Sequence, residues 1–181
     1  MRLFVSVDLP DGMADPLASL QEPLDRPGVR PTDPDQAHVT LAFLGETDPQ
    51  RVHSIERSLE RGVDAAALDP FTTRFEGLGV FPSMEYITVV WVGVTEGTSR
   101  LQTLQESVSA ALAVDPDEAF VPHVTLARVD DARSKAAIQA FIEERSPALG
   151  TMTVESVQLT ESTLTEDGPV YETVTSVPLS G

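Results

Sequence analysis

The run His38-Val39-Thr40-Leu41 recurs as His123-Val124-Thr125-Leu126, with its two histidines 85 residues apart in a chain of 181. On this chain's composition, such a recurrence arises by chance roughly once in 450. The copies hold matching places in two halves that each read strand, helix, strand, helix, strand. Repeats of about 20–50 residues mark solenoids, whereas one long repeat implies two similar lobes facing each other across a cleft. The expected architecture is therefore α+β and bilobal: pseudo-symmetric lobes of mostly antiparallel sheet flanked by helices, in a single domain over residues 1–181. The internal repeat covers approximately residues 1–82 and 85–181.

Local patterns supply the elements. Leu3–Leu9 alternates and ends at Pro10, the mark of a strand. Met13, Leu17, Leu20 and Leu24 recur at helical spacing and stop near Pro27-Gly28. Pro31 and Pro34 keep the following stretch extended or turning, and His38–Leu44 is a strand. Asp48-Pro49 provides a cap and a first-turn proline for a helix with Val52, Ile55 and Leu59 inward. Phe71–Val80 is a strand, followed by a loop at Phe81-Pro82-Ser83. In the second half, Ile87–Val94 is a strand and Thr98 caps a helix facing inward through Leu101, Leu104, Val108 and Leu112. Asp115-Pro116-Asp117 makes a turn and Val121–Val129 a strand, and Asp130 or Asp131 caps a helix with Ala137, Ile138, Phe141 and Ile142 inward. Thr151–Leu164 and Val170–Leu179 are strands joined through Glu166-Asp167-Gly168-Pro169, which has hairpin chemistry.

Composition narrows the chemistry. The chain has no cysteine, which removes disulfides, thiolate metal sites and cysteine nucleophiles. No apolar run reaches the ~18 residues of a membrane span. The N-terminal stretch meets Asp8 before any leader-like apolar core develops, so the expected location is cytoplasmic. Twelve basic against 29 acidic residues give a net charge of −17, and Lys135 is the lone lysine. That field repels phosphate backbones at low salt and argues for a small pocket gripping one terminal group rather than a long groove. It also fits adaptation to concentrated salt, where the screening length falls to ~3 Å.

Within the repeated run, positions i and i+2 of a strand share a face, so His38 points with Thr40 and His123 with Thr125. The valines and leucines face the other way. A pseudo-twofold axis would bring two imidazoles and two hydroxyls around one small anion. A purely structural repeat would preserve apolar positions alone, yet the polar pair is preserved with them. With an ordinary pKa near about 6.5, one imidazole can accept a proton while its partner donates one. In-line displacement at phosphorus uses such a pair, one group activating the attacking oxygen and the other protonating the departing one. The threonine hydroxyls suit the non-bridging oxygens. No metal or other cofactor is needed.

The paired His-x-Thr-Leu runs, together with Arg2-Leu3-Phe4-Val5, Ala42-Phe43-Leu44-Gly45, Gly77-Leu78-Gly79-Val80-Phe81-Pro82 and Gly168-Pro169-Val170-Tyr171, resemble the two-histidine phosphoesterase superfamily. The nearest branch is the RNA 2',3'-cyclic phosphodiesterases, also called 2'-5' RNA ligases (LigT-like), and the likeness spans essentially the whole chain. The resemblance implies hydrolysis of a terminal 2',3'-cyclic phosphate on RNA to a 2'-phosphate. It implies His38 as proton donor to the 3' leaving oxygen, His123 as the base activating water, and Thr40, Thr125 and Arg128 as phosphate ligands. Arg128 lies five residues after His123, so a regular strand would turn it away from the cleft unless its long side chain wraps around a strand end or the strand bulges. The position equivalent to Arg128 in the first half is Phe43, which either stacks on a base or belongs to the core.

Other features carry ordinary readings. His53 has no partner motif and is a surface residue. Gly77-x-Gly79 lacks a dinucleotide fingerprint, and the pairs Asp33/Asp35, Asp115/Asp117 and Asp130/Asp131 read as caps and turns rather than metal ligands. The expected partners are RNA 3' termini or small cyclic nucleotides, with no membrane and no metal, and the expected state is a monomer because the pseudo-dimer lies within one chain. Two rival functions remain: 2'-5' RNA ligation or phosphodiester cleavage of 2'-5' linked or small cyclic nucleotides, and a non-catalytic module that binds RNA ends. The second would not need two titratable groups flanking the phosphate.

Overall fold

The computed structural model describes residues 1–116 and 119–180. The turn expected at Asp115-Pro116-Asp117 lies partly outside the described residues. Nine strands and four α-helices follow one another as β1 (Arg2–Asp8), α1 (Ala14–Gln21), β2 (Val29–Pro31), β3 (His38–Glu46), α2 (Val52–Ala66), β4 (Phe71–Pro82), β5 (Ile87–Glu96), α3 (Thr98–Leu112), β6 (His123–Val129), α4 (Lys135–Glu144), β7 (Ala148–Val154), β8 (Ser156–Thr165) and β9 (Gly168–Pro178).

The strands form one sheet in the order β7-β4-β5-β6-β3-β1-β8-β9, with β2 also on β6. Every pairing is antiparallel. The sheet is pseudo-symmetric about its centre, where β3 meets β6. Its two halves are not the two halves of the sequence, because the third strands are exchanged. β4 pairs with β5 and β7, while β8 pairs with β1 and β9.

All four helices pack on one face. Leu17 of α1, Ile55, Leu59 and Val63 of α2, Leu101, Leu104 and Val108 of α3, and Ile138 and Phe141 of α4 are buried in one cluster with Leu3, Val5, Val7, Val39, Leu41, Val90, Val92, Val124 and Leu126 of the central strands. Burying each such side chain contributes about 1.5–3 kcal/mol. Gly62 lets α2 and α3 approach closely, since a Cβ there would stand 3.0 Å from the Val108 backbone. The helix face is thus closed by packing, and the opposite face of the sheet carries the polar groups.

Three local expectations are corrected. Thr98 is the first helical residue of α3 rather than its cap: Gly97 caps it at φ 85°, and the Thr98 hydroxyl donates to the Val94 carbonyl at 3.3 Å. A side chain at Gly97 would also strike Thr73. Neither Asp130 nor Asp131 caps α4. Ser134 precedes it, Asp130 takes both ends of the Arg30 guanidinium at 2.8 and 2.9 Å, and Asp131 accepts from the Arg133 backbone at 3.0 Å. Thr151–Leu164 is two strands divided at Glu155. The two pieces pair with different neighbours, β7 with β4 and β8 with β1 and β9, so the chain must change direction between them.

Candidate active site

Val39 and Val124 are the paired residues where β3 crosses β6. Carrying the antiparallel register one residue either way sets His38 opposite Thr125 and Thr40 opposite His123, all on the face away from the buried valines. The two histidines are then diagonal neighbours, about 7–8 Å apart at this level of the sheet. A local twofold through the valine pair relates the two motifs.

Each imidazole is fixed in the same way. Nδ1 of His38 donates to the Gln36 carbonyl at 2.9 Å, and Nδ1 of His123 donates to the Val121 carbonyl at 2.7 Å. A carbonyl can only accept, so Nδ1 carries the hydrogen in both rings and Nε2 is left for chemistry. Aromatic rings hold each imidazole from the sides. His38 lies 5.0 Å from Phe4 and 5.2 Å from Tyr171, the latter edge-on. His123 lies 4.9 Å from Phe81, also edge-on, and 5.8 Å from Trp91.

Burial pushes both imidazoles below the ordinary histidine pKa. At His38 the hydrogen bond to Gln36 and the Asp8 carboxylate oppose that shift, and Arg128 adds to it. At His123 the bond to Val121 opposes it, while His38 and Arg128 add to it. The asymmetry has a backbone origin: Asp8 is the β1 partner of His38, whereas Gly93 is the β5 partner of His123. One imidazole has a carboxylate as its strand neighbour and the other a glycine.

Both motifs contain the bulge that Arg128 needs. The β1–β3 register slips between Val5 and Ser6, and the β5–β6 register slips between Val90 and Trp91, which leaves Leu41 and Leu126 as the extra residues. Leu41 and Ala42 are accordingly buried in succession, as are Leu126 and Ala127. An extra residue reverses the alternation, so Phe43 and Arg128 join their histidines on the open face. Phe43 is 74% exposed, which removes the core alternative, and its ring lies 6.4 Å from Phe4. Arg128 makes no ion pair among the described residues, whereas its β2 neighbour Arg30 is bound to Asp130.

The second bulge is pinned from below. Buried Gln21 of α1 donates to the Leu126 carbonyl at 2.9 Å, the Thr32 backbone N–H donates to the same oxygen at 2.9 Å, and the Thr32 hydroxyl donates to the Thr125 carbonyl at 2.8 Å. Gly79 has a comparable supporting role. Trp91 lies across it, and any Cβ there would collide with the indole. Phe4, Gln21, Gln36, Phe81, Trp91 and Tyr171 thus build the site without having been singled out from the sequence. Four of them stood within the motif segments that carry the resemblance or in the adjoining strand, but nothing in spacing assigned them a part.

Next to His123, Leu78, Trp91, Phe120, Val121 and Pro122 line an open hollow of about 360 Å³ with Glu76 at its edge. His53 is exposed on α2 and stands 3.7 Å from Glu56. The Asp33 side chain accepts from the Asp35 backbone in a turn. Among the described residues, no group of three or more ligating side chains gathers where a metal ion could be held, and no helix is long and apolar enough to cross a membrane.

A single antiparallel sheet, helices on one face and two His-x-Thr motifs about a twofold on the other, is the plan of a two-histidine phosphoesterase. The family model described as the 2'-5' RNA ligase superfamily matches residues 9–166, and the chain belongs to that superfamily. It is 33% identical over 180 residues to an RNA 2',3'-cyclic phosphodiesterase of Methanothermobacter thermautotrophicus, covering 94% of this chain and 95% of that one. To the protein of the same name from Archaeoglobus fulgidus it is 34% identical over 176 residues, covering 95% and 97%. A crystal structure of a Thermus thermophilus protein superposes with a TM-score of 0.77 at 30% identity, covering 99% of this chain and 98% of that one. E. coli LigT complexed with 3'-AMP shares the fold, with a TM-score of 0.75 at 23% identity over 99% of this chain and 98% of that one.

Proposed function

We propose that this protein hydrolyses the terminal 2',3'-cyclic phosphate of RNA to a 2'-phosphate, with His123 as general base and His38 as general acid. In the reaction, neutral His123 takes a proton at Nε2 from water while the water oxygen bonds to phosphorus. The bond from phosphorus to the 3' oxygen breaks on the opposite side, and protonated His38 gives its proton to that oxygen. The products are a 2'-phosphate and a free 3'-hydroxyl, and proton exchange with solvent restores both rings. Each transfer contributes about 10²–10⁴ in rate.

The observation that carries the reading is the diagonal placement of two rings, each with Nδ1 committed to a carbonyl. Asp8 favours a cationic ring at His38, and no carboxylate among the described residues does so at His123, which supports the division of roles. Thr40 and Thr125 donate to the non-bridging oxygens, and Arg128 balances their charge. Exposed Phe43, beside Phe4, offers its face to the base of the terminal nucleotide. The protein acts as a monomer in the cytoplasm, needing no second subunit because both motifs lie in one chain.

The deciding experiment is incubation with an oligoribonucleotide ending in a 2',3'-cyclic phosphate, with EDTA present, followed by identification of the end. A 2'-phosphate is expected. A 3'-phosphate would overturn the regiochemistry, and an unchanged end would overturn the activity.

The hollow beside His123 favours a second reaction at the same centre. Its size is within the range of small-molecule sites, and two residues that line it, Trp91 and Val121, also contact His123. A 5'-hydroxyl nucleoside seated there would replace water and yield a 2'-5' linkage.

A further inference from the structure

We propose that Gln36 is a positioning residue that ties the β8–β9 hairpin to the His38 imidazole, so that the hairpin sets the aim of the proton donor. The inference rests on the functional reading above for its consequence, and on geometry for its substance. Besides the backbone turn that its N–H makes with the Asp33 carbonyl, Gln36 makes three hydrogen bonds to the hairpin and to His38. Its side-chain Nε2 donates to the Pro169 carbonyl at 3.0 Å, and its Oε1 accepts from the Tyr171 backbone N–H at 2.8 Å. Its own carbonyl accepts from Nδ1 of His38 at 2.9 Å. The loop closes through space, since the Tyr171 ring packs edge-on against His38 at 5.2 Å and against Phe4 at 5.1 Å.

The amide side chain imitates a strand: it offers one donor and one acceptor to alternate backbone groups of β9. Among the described residues that strand is last in the sheet, with β8 as its one ladder partner, so at this end Gln36 supplies its second tie. The hairpin turns through Glu166 and Asp167, with Thr165 paired to Gly168 and Leu164 84% exposed near its tip. Without the tie, a projecting two-stranded ribbon is marginally stable. A shift of the ribbon moves Tyr171, and through Gln36 it moves the carbonyl that holds His38.

The other half of the pseudo-dimer lacks this linkage. The Val121 carbonyl receives Nδ1 of His123 at 2.7 Å, but an aliphatic side chain has nothing with which to reach a neighbouring strand. The device therefore acts on one histidine of the two. An asymmetric effect is its distinguishing sign.

The test substitutes Gln36→Met, which keeps length and removes both side-chain hydrogen bonds, and Gln36→Ala, which removes the side chain. Melting curves establish that each variant is folded. Nitrogen-15 spectra of the histidine rings are the primary readout. In the parent the neutral His38 ring carries its hydrogen on Nδ1; in both variants it is expected to populate both tautomers, with His123 unchanged. The turnover number on a cyclic-phosphate oligonucleotide is expected to fall about 10–100-fold while KM stays nearly constant, as misalignment without lost binding requires. Unaltered His38 signals, or equal changes at both rings, would overturn the proposal. If the parent itself leaves the cyclic end intact, the functional reading fails, and the ring spectra still decide whether Gln36 governs His38.

Discussion

Asp8 is the β1 neighbour of His38, and Gly93 is the β5 neighbour of His123, at positions related by the pseudo-twofold of the sheet. The two halves therefore present matching imidazoles in unequal fields. Asp8 is itself held by the Ser6 hydroxyl, which donates to it at 2.8 Å, and Ser6 in turn meets Thr160 at 3.2 Å. A duplicated scaffold has acquired a direction.

That direction makes a pH prediction. Burial lowers both imidazoles below the ordinary value of 6.5. The base must be neutral, which holds above its lowered pKa, and the acid must be charged, which holds below its own. For the free enzyme, kcat/KM should follow a bell whose optimum lies on the acid side of 6.5. A bound phosphate anion favours both imidazolium forms, so the kcat profile should move upward. Stability carries the same sign: the unfolded chain binds more protons once the pH falls below about 6.5, so stability declines from there towards the folded pKa values. Profiles measured with saturating and limiting substrate check the first two points. A kcat/KM optimum above pH 7.5 would contradict them.

The threonines give a sharper prediction than the histidines, because a hydroxyl can be removed with little change of shape. Thr40→Val and Thr125→Val should each lower kcat by about 10- to 10³-fold, the range for removing one donor from a developing oxyanion. The double variant should fall further, since the two hydroxyls approach one phosphate from opposite motifs. Retained melting temperature separates this from unfolding. Equal, twofold-or-smaller losses would sink the role.

Much of this arrangement was legible. The repeated His-Val-Thr-Leu fixed the open and buried faces of β3 and β6, because strand alternation is local. The parity conflict at Arg128 called for a bulge or for a side chain wrapped around a strand end, and β6 has the bulge, at Leu126. The same conflict was visible in the first motif, where Leu41 and Leu44 cannot both face inward from one regular strand. Exchange of β4 and β8 between the halves was not legible, since no local preference selects among distant strands. β2 was too short and too rich in proline to register. Gln36 and Gln21 were invisible for a related reason: their worth lies in backbone groups far along the chain, 133 residues away for Gln36 and Pro169, and 105 for Gln21 and Leu126.

Gln21 shows how much such a residue carries. It supports the carbonyl of the bulged Leu126, and the bulge turns Arg128 towards the site. Gln21→Leu should cost about 0.5–1.5 kcal/mol, the usual net worth of a hydrogen bond, because the Leu126 carbonyl keeps the Thr32 N–H. It should also raise KM more than it lowers kcat, because Arg128 rather than a histidine loses its setting. Denaturant titration and steady-state kinetics on the same preparation give both numbers. A variant with normal stability and KM would show that Thr32 alone holds the bulge.

The acidic surface predicts an inverted response to salt. A basic groove loses RNA as ions compete for phosphate. A chain of net charge −17 repels RNA at long range, and raising salt from about 0.1 to 1 M shortens the screening length from ~10 to ~3 Å. On the proposed role of Arg128 as a phosphate ligand, its short-range attraction is screened less than the repulsion of the distant acids. KM for a long oligonucleotide should therefore fall as potassium chloride rises, and that for a cyclic mononucleotide should change little. A KM that climbs with salt for both would mean that the acids do not govern approach.

Gly79 offers the last check on how the His123 side is built. Its backbone is compatible with any residue, so the requirement for glycine is spatial: the indole of Trp91 occupies the volume of a Cβ. Trp91 touches Phe81 at 5.0 Å and His123 at 5.8 Å, so the collision cannot be relieved without disturbing the ring that guides the base. Gly79→Ala should destabilise by about 1–3 kcal/mol, as overpacking does, and should shift the His123 ring resonances while leaving those of His38 in place. Trp91→Phe, a smaller ring, should restore much of the stability when combined with it. If the double variant is no more stable than Gly79→Ala alone, the indole is not what excludes a side chain there.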